Sequence, residues 1–161
     1  GLVGSEMCIR DRIELNVVDG IILPNLKMAG AEDGCGFLTE EGRCGIHPFR
    51  PGICRLFPLG RYYEENGFRY FLQVHECQKE NRAKVKVKKW LDTPDLKKYE
   101  AYIARWHGLL IQLQEYIAAH PESAKAVSMD VLQRFYLTPY RTEEFYSEFF
   151  RRMDEAKKVY C

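Results

Sequence analysis

Apolar residues recur at alternating spacings of three and four through Leu96, Tyr99, Ile103, Trp106, Leu110, Leu113 and Ile117. That is the stripe one face of an α-helix presents. Thr93 is placed to cap this helix and Pro94 to take its first position, where a missing N–H costs nothing. The helix is expected to end near His120-Pro121. A second helix is expected from Glu122 to Tyr136. A third, from Thr142, is expected to bury Phe145, Phe149, Met153, Ala156 and Tyr160. Lys84-Val85-Lys86-Val87-Lys88 alternates like a strand, but Ala83, Val87, Trp90 and Leu91 share a helical face, and the stretch Lys79 to Trp90 is read as helix.

Ahead of these helices the pattern changes. Gly34, Gly36, Gly42, Gly45, Pro48, Pro51, Gly52, Pro58 and Gly60 interrupt every candidate helix. Between Leu59 and Val74, Arg61-Tyr62-Tyr63 and Phe68-Arg69-Tyr70-Phe71-Leu72 flank Asn66-Gly67, which predicts a β-hairpin. Phe68, Tyr70, Leu72 and Val74 then lie on one face, read as a cover for the preceding loops. Ile13 to Gly34 reads as a short apolar lead-in with turn formers at Gly20, Pro24 and Gly30. The expected fold is mainly α: a loop-rich cysteine-cluster core with a small β-hairpin, buttressed by three to four helices.

The first residues stand apart. Leu2-Val3-Gly4-Ser5-Glu6-Met7-Cys8-Ile9-Arg10-Asp11 is the in-frame translation of CTC GTG GGC TCG GAG ATG TGT ATA AGA GAC, a transposon-type sequencing adapter. Residues 1–12 are therefore read as a non-native scar, with the natural chain expected to begin upstream of Ile13. Residues 13–78 are expected to form a cysteine-cluster metal-binding domain, incomplete at its N-terminus, and residues 79–161 a helical C-terminal region. Hydrophobic content of 46% and aromatic content of 13% suffice for a core. No apolar run approaches the ~20 residues of a membrane helix, since Gly20-Ile21-Ile22-Leu23 stops at Pro24. A soluble, cytoplasmic protein is expected, with no membrane partner. A net charge of +1 argues against a chain that neutralises a long polyanion. The Lys79–Lys89 run accordingly reads as a solvated helix face, and a nucleic-acid partner is not expected.

With Cys8 set aside, five cysteines remain. An odd number, most of them within about forty residues, fits a disulfide framework poorly and metal ligation better. Cys35, Cys44 and Cys54 each have a glycine one or two positions away, which lets the backbone bend so that amides point at a sulfur. Arg43, Arg50, Arg55 and Arg61 are the basic residues of this stretch. Arginine can offset the charge of about −2 that four thiolates leave around zinc or an oxidised four-iron cluster. The expected ligands are Cys35, Cys44, Cys54 and Cys77. No C-x₂₋₄-C knuckle selects zinc, and the long gaps also accommodate an iron–sulfur cluster. His47 and His75 read as hydrogen-bonded neighbours of the cluster rather than ligands, His107 and His120 as structural residues, and Cys161 as a terminal thiol outside it.

Gly42-Arg43-Cys44-Gly45-Ile46-His47, Arg50-Pro51-Gly52-Ile53-Cys54-Arg55-Leu56-Phe57-Pro58-Leu59-Gly60 and His75-Glu76-Cys77 together resemble the YkgJ-type cysteine-cluster proteins, which are described as zinc- or iron-chelating or iron–sulfur proteins. The family pattern also carries an N-terminal CxxCxxCC group. This sequence lacks it where the adapter begins, so the resemblance implies that about half of the ligands are missing. Flagellin lysine N-methylases carry a similar cluster, but the chain has no cofactor-binding signature of its own and that activity is not transferred. The function expected is metal binding, of an iron–sulfur cluster or zinc, through cysteine thiolates. The alternatives are a cluster-dependent redox or methyl-transfer enzyme and a zinc-stapled module that binds a protein partner.

Overall fold

The computed structural model describes residues 12–29, 34–65, 67–76 and 83–160, with the side chain of Thr142 left aside. By compactness the chain divides into two bodies, Gly1–Gly45 with Trp106–Cys161, and Ile46–Arg105. No helix among the described residues is long and apolar enough to cross a membrane. Five α-helices and three two-stranded antiparallel sheets make up the regular structure described, a mainly α fold with small hairpins.

The first body opens with a hairpin in the apolar stretch where the sequence predicts a lead-in with turn formers. Strands β1 (Ile13–Val18) and β2 (Ile21–Leu26) pair antiparallel, from Ile13 opposite Leu26 to Val18 opposite Ile21. Asp19 and Gly20 turn between them with φ of 48° and 86°. Two successive left-handed residues are what a type I′ turn needs, and Asp-Gly supplies them at low cost. The signal was present in Asp19-Gly20 between two apolar runs. Short strands β3 (Met28–Ala29) and β4 (Gly34–Cys35) pair next. Every residue of β1 is exposed. Ile21 of β2 is fully buried, and the Ile22 N–H donates to Ser128 Oγ at 3.1 Å.

The helices of this body carry its core. Helix α3 (Leu96–Ala119) begins in the other body, and the division between the bodies falls within it. Helix α4 (Ala124–Leu132) runs on into a π-helical turn over Gln133–Leu137, and α5 (Phe145–Tyr160) follows a 3₁₀ turn. Leu109, Leu113, Ile117, Val127, Val131, Leu132, Phe135, Phe149, Met153 and Ala156 are buried. The predicted stripe is right in period but displaced at one step, because Leu109 is buried where Leu110 was expected. Phe145 and Tyr160 are only half-buried. Trp106 stands edge-on to Phe135 and Phe149, at centroid distances of 4.8 and 5.4 Å.

The second body contains a short 3₁₀ turn (His47–Phe49), α1 (Gly52–Leu56), the hairpin of β5 (Leu59–Glu64) and β6 (Gly67–Leu72), α2 (Val87–Leu91) and the start of α3. The hairpin is the predicted one, with Tyr63 opposite Phe68. Phe68 and Tyr70 are half-buried, whereas Leu72 and Val74 of the expected covering face are exposed. The cap of α3 is Asp95 rather than Thr93. Its Oδ1 accepts from the Lys98 N–H at 3.1 Å, while the Thr93 hydroxyl donates to the Leu91 carbonyl. A carboxylate three residues ahead of a free amide satisfies one of the orphan donors at a helix start.

Candidate metal centre

Cys35 and Cys44 sit at either end of one loop that is closed by its own backbone. Cys35 ends β4 opposite Met28, and Leu38 forms an isolated antiparallel bridge with Cys44. The Leu38 N–H donates to the Cys35 carbonyl at 3.0 Å, Thr39 to Arg43 at 2.7 Å, Gly42 to Thr39 at 2.9 Å and Gly45 to Phe37 at 2.8 Å. Gly42 has φ +72°, a conformation a side chain would resist. Phe37 is buried beneath the loop, and both cysteines are half-buried free thiols. These amides therefore serve carbonyl oxygens, not the sulfurs to which the glycine pattern assigned them.

Cys54 belongs to the other body. It lies in α1, a single short turn, with its N–H donating to the Pro51 carbonyl at 3.0 Å and its side chain exposed. Leu56, 4% exposed, anchors that turn. Gly52 is required there, since a Cβ would lie 2.7 Å from Tyr99 Oη. Cys77 lies outside the described residues, as does Cys161. Of the expected ligands, Cys35 and Cys44 lie on one closed loop and Cys54 on a helical turn of the other body. Among the described residues no three or more histidines, cysteines, aspartates or glutamates form a group that could hold a metal ion.

The arginines expected to balance thiolate charge face other partners. Arg50 Nη1 donates to His47 Nε2 at 2.6 Å, Arg55 Nη1 to the Asp92 carbonyl at 3.3 Å, and Arg61 Nη2 to Tyr99 Oη at 2.6 Å. Arg43 is exposed. The Arg50 contact occupies the His47 Nε2 edge. His75 is exposed in the turn after β6. Burial lowers the pKa of His107, and His120 stacks on Tyr116 at 4.6 Å, so both read as structural residues.

Arg61, expected to balance thiolate charge, instead joins a polar centre within its own body. The Arg61 guanidinium lies over the Phe68 and Tyr99 rings, at 5.4 and 5.5 Å from their centroids. Arg61 Nε and Tyr70 Oη are buried with no hydrogen-bond partner of acceptable geometry among the described residues. Burial, with the Glu100 charge adding to it, pushes the Tyr70 phenol up to about 12. This centre organises the hairpin against α3 within its own body.

Cysteine thiolates are donors suited to a thiophilic ion such as zinc or the iron of a cluster, and the described residues do not bring three such donors together. When bound, that group would supply either a structural crosslink or an electron-carrying centre. No family model matches the chain, and no curated protein or solved structure is similar to it.

Proposed function

We propose that the chain is a metal-binding module of the YkgJ cysteine-cluster type, with Cys35, Cys44, Cys54 and Cys77 supplying thiolates to zinc or an iron–sulfur cluster. The observation that carries this reading is the closed loop. Cys35 and Cys44 are half-buried free thiols at the two ends of a loop closed by its own backbone hydrogen bonds, and that local order supports reading them as ligands. Reduced thiols of this kind belong in a reducing compartment such as the cytoplasm. A protein partner, if the module has one, is a separate question from its metal. Thiolates must lose their protons to ligate, so metal uptake should release protons and weaken as pH falls.

Anaerobic purification followed by metal analysis and visible spectroscopy tests the reading. A brown protein with iron and sulfide in proportion identifies a cluster. A colourless protein with stoichiometric zinc identifies a structural ion. Cys44→Ser should lower the bound metal in either case, and Cys54→Ser likewise. A protein that takes up neither metal, or both serine variants retaining it in full, refutes the assignment.

A further inference from the structure

The near-neutral charge of the whole chain conceals a division. Ile46–Arg105 holds thirteen lysines and arginines against seven aspartates and glutamates, a net +6, whereas the remainder holds eleven against sixteen, a net −5. The second body by itself carries the charge to meet a polyanionic ligand.

Within that body the positive charge gathers about α2. Lys84, Lys86, Lys88 and Lys89 are all exposed. Lys86, Lys88 and Lys89 line an open groove of about 370 Å³, together with Asp92, Thr93 and Pro94. Asp92 is the one acidic residue of that lining, which leaves three ammonium groups against one carboxylate. Two exposed aromatic residues lie outside that lining, Trp90 next to Lys89 in the chain and Phe57 hydrogen-bonded to Trp90. Trp90 is 44% exposed although its indole N–H donates to the Phe57 carbonyl at 3.1 Å, and Phe57 itself is 50% exposed. Leu91, fully buried, holds α2 in place, and Arg55 Nη1 bonds the Asp92 carbonyl at its end. A merely solvated helix face would carry the lysines and turn its tryptophan inward. Here the tryptophan is fixed by its edge and keeps part of its surface in water.

We propose that Lys86, Lys88, Lys89, Trp90 and Phe57 form a binding surface for single-stranded nucleic acid. Lysines meet the backbone phosphates, and Trp90 and Phe57 offer rings on which unpaired bases stack, the combination that sequence-tolerant single-strand binders use. A duplex keeps its bases stacked inside and an acidic peptide has none, so neither gives the two exposed rings a role.

The test uses the full chain and a fluorescently labelled oligothymidylate of about 12 nucleotides, with anisotropy and tryptophan fluorescence as readouts. Binding should weaken roughly 20- to 50-fold between about 50 and about 200 mM salt if three or four phosphates are engaged. The oligonucleotide should quench tryptophan emission. The combined substitution Lys86→Glu, Lys88→Glu and Lys89→Glu should lower affinity by more than about tenfold with the circular dichroism unchanged, because all three side chains are in water. Absence of binding at the lower salt, unchanged affinity in the triple variant, or equal affinity for a duplex of the same length overturns the proposal. So does competition by polyglutamate at equal charge, which would assign the surface to an acidic protein.

Discussion

The cysteine-bearing segments and the helices of the same protein are held by different means. Between Leu109 and Ala156, apolar side chains from α3, α4, the π-helical turn and α5 are buried to 9% exposure or less at ten positions, and a cluster of rings joins them. Burial on that scale, at ~25 cal/mol per Å² of apolar surface, stabilises helices without outside help. Between Cys35 and Phe57 only Phe37 and Leu56 reach comparable burial, and Phe49, Ile53 and Phe57 are 87%, 61% and 50% exposed. There the chain is ordered mainly by backbone hydrogen bonds and tight turns. Such segments open at low free energy, whereas packed helices open only with the whole domain. A polypeptide with little core of its own commonly gains order from a crosslink, and metal ligation is one of the few available to reduced cysteines. The contrast gives the proposed metal a physical purpose beyond its ligands.

The largest effect should come from Arg152, a buried cation in the helical region. Its guanidinium donates to the carbonyls of Arg134, Thr138 and Pro139 and pairs with Glu148. Its residue exposure is 4%. Arg152→Met leaves those acceptors without a donor and should destabilise the protein by about 3 kcal/mol. Urea unfolding followed by circular dichroism measures it. A loss below about 1 kcal/mol would mean that water replaces the arginine at no great cost, and the helical region would owe less to this cap than its geometry implies.

A smaller effect is expected where the cysteine-bearing turn meets α3. Gly52→Ala puts a Cβ within 2.7 Å of Tyr99 Oη, so the ring or the turn must shift, at about 1–2 kcal/mol. The two regions should then part company. Amide exchange should quicken over residues 51–57, while the amides of α5 keep their protection. Uniform acceleration along the chain would contradict the separation drawn here.

The smallest effect is an acid one. Hydrogen bonds from Arg152, and from the Arg141 backbone, hold the Glu148 carboxyl below the usual range. A depressed folded-state pKa contributes stability that is fully present above the unfolded value and is lost as pH falls through the folded one. Glu148→Gln should therefore flatten the decline in melting temperature on the acid side of the ordinary carboxylate pKa and leave neutral behaviour nearly parallel. An unaltered acid limb would assign the decline to other carboxylates.

Legibility followed the range of the forces involved. The 3.6-residue period marked α3 correctly and its C-terminus to within a residue, because helical periodicity is local. Asn66-Gly67 announced its hairpin for the same reason, and Asp19-Gly20 carried an equal signal that was passed over. The displacement from Leu110 to Leu109 was invisible, because which residue of a stripe lies deepest depends on the neighbouring helix. Arg152 looked like one more charge on an exposed helix. Its burial follows from the carbonyls of the π-helical turn ending beside it, which no pattern in α5 could reveal. Type and spacing grouped the cysteines in the sequence, and the described residues do not form a metal-holding group from them. The partners of their arginines were not, since Arg55 and Arg61 reach residues more than thirty positions away.

Local chemistry along the chain was enough to specify the long helix α3 and the Asn66-Gly67 hairpin, because propensity and periodicity are properties of neighbouring residues, whereas the helix expected over Lys79–Trp90 begins only at Val87. Folding decided which side chains are deepest, where the guanidinium groups point, and how a nearly neutral chain separates into a body of +6 and a body of −5. Those outcomes depend on contacts between residues far apart in the sequence, which only the compact chain brings together.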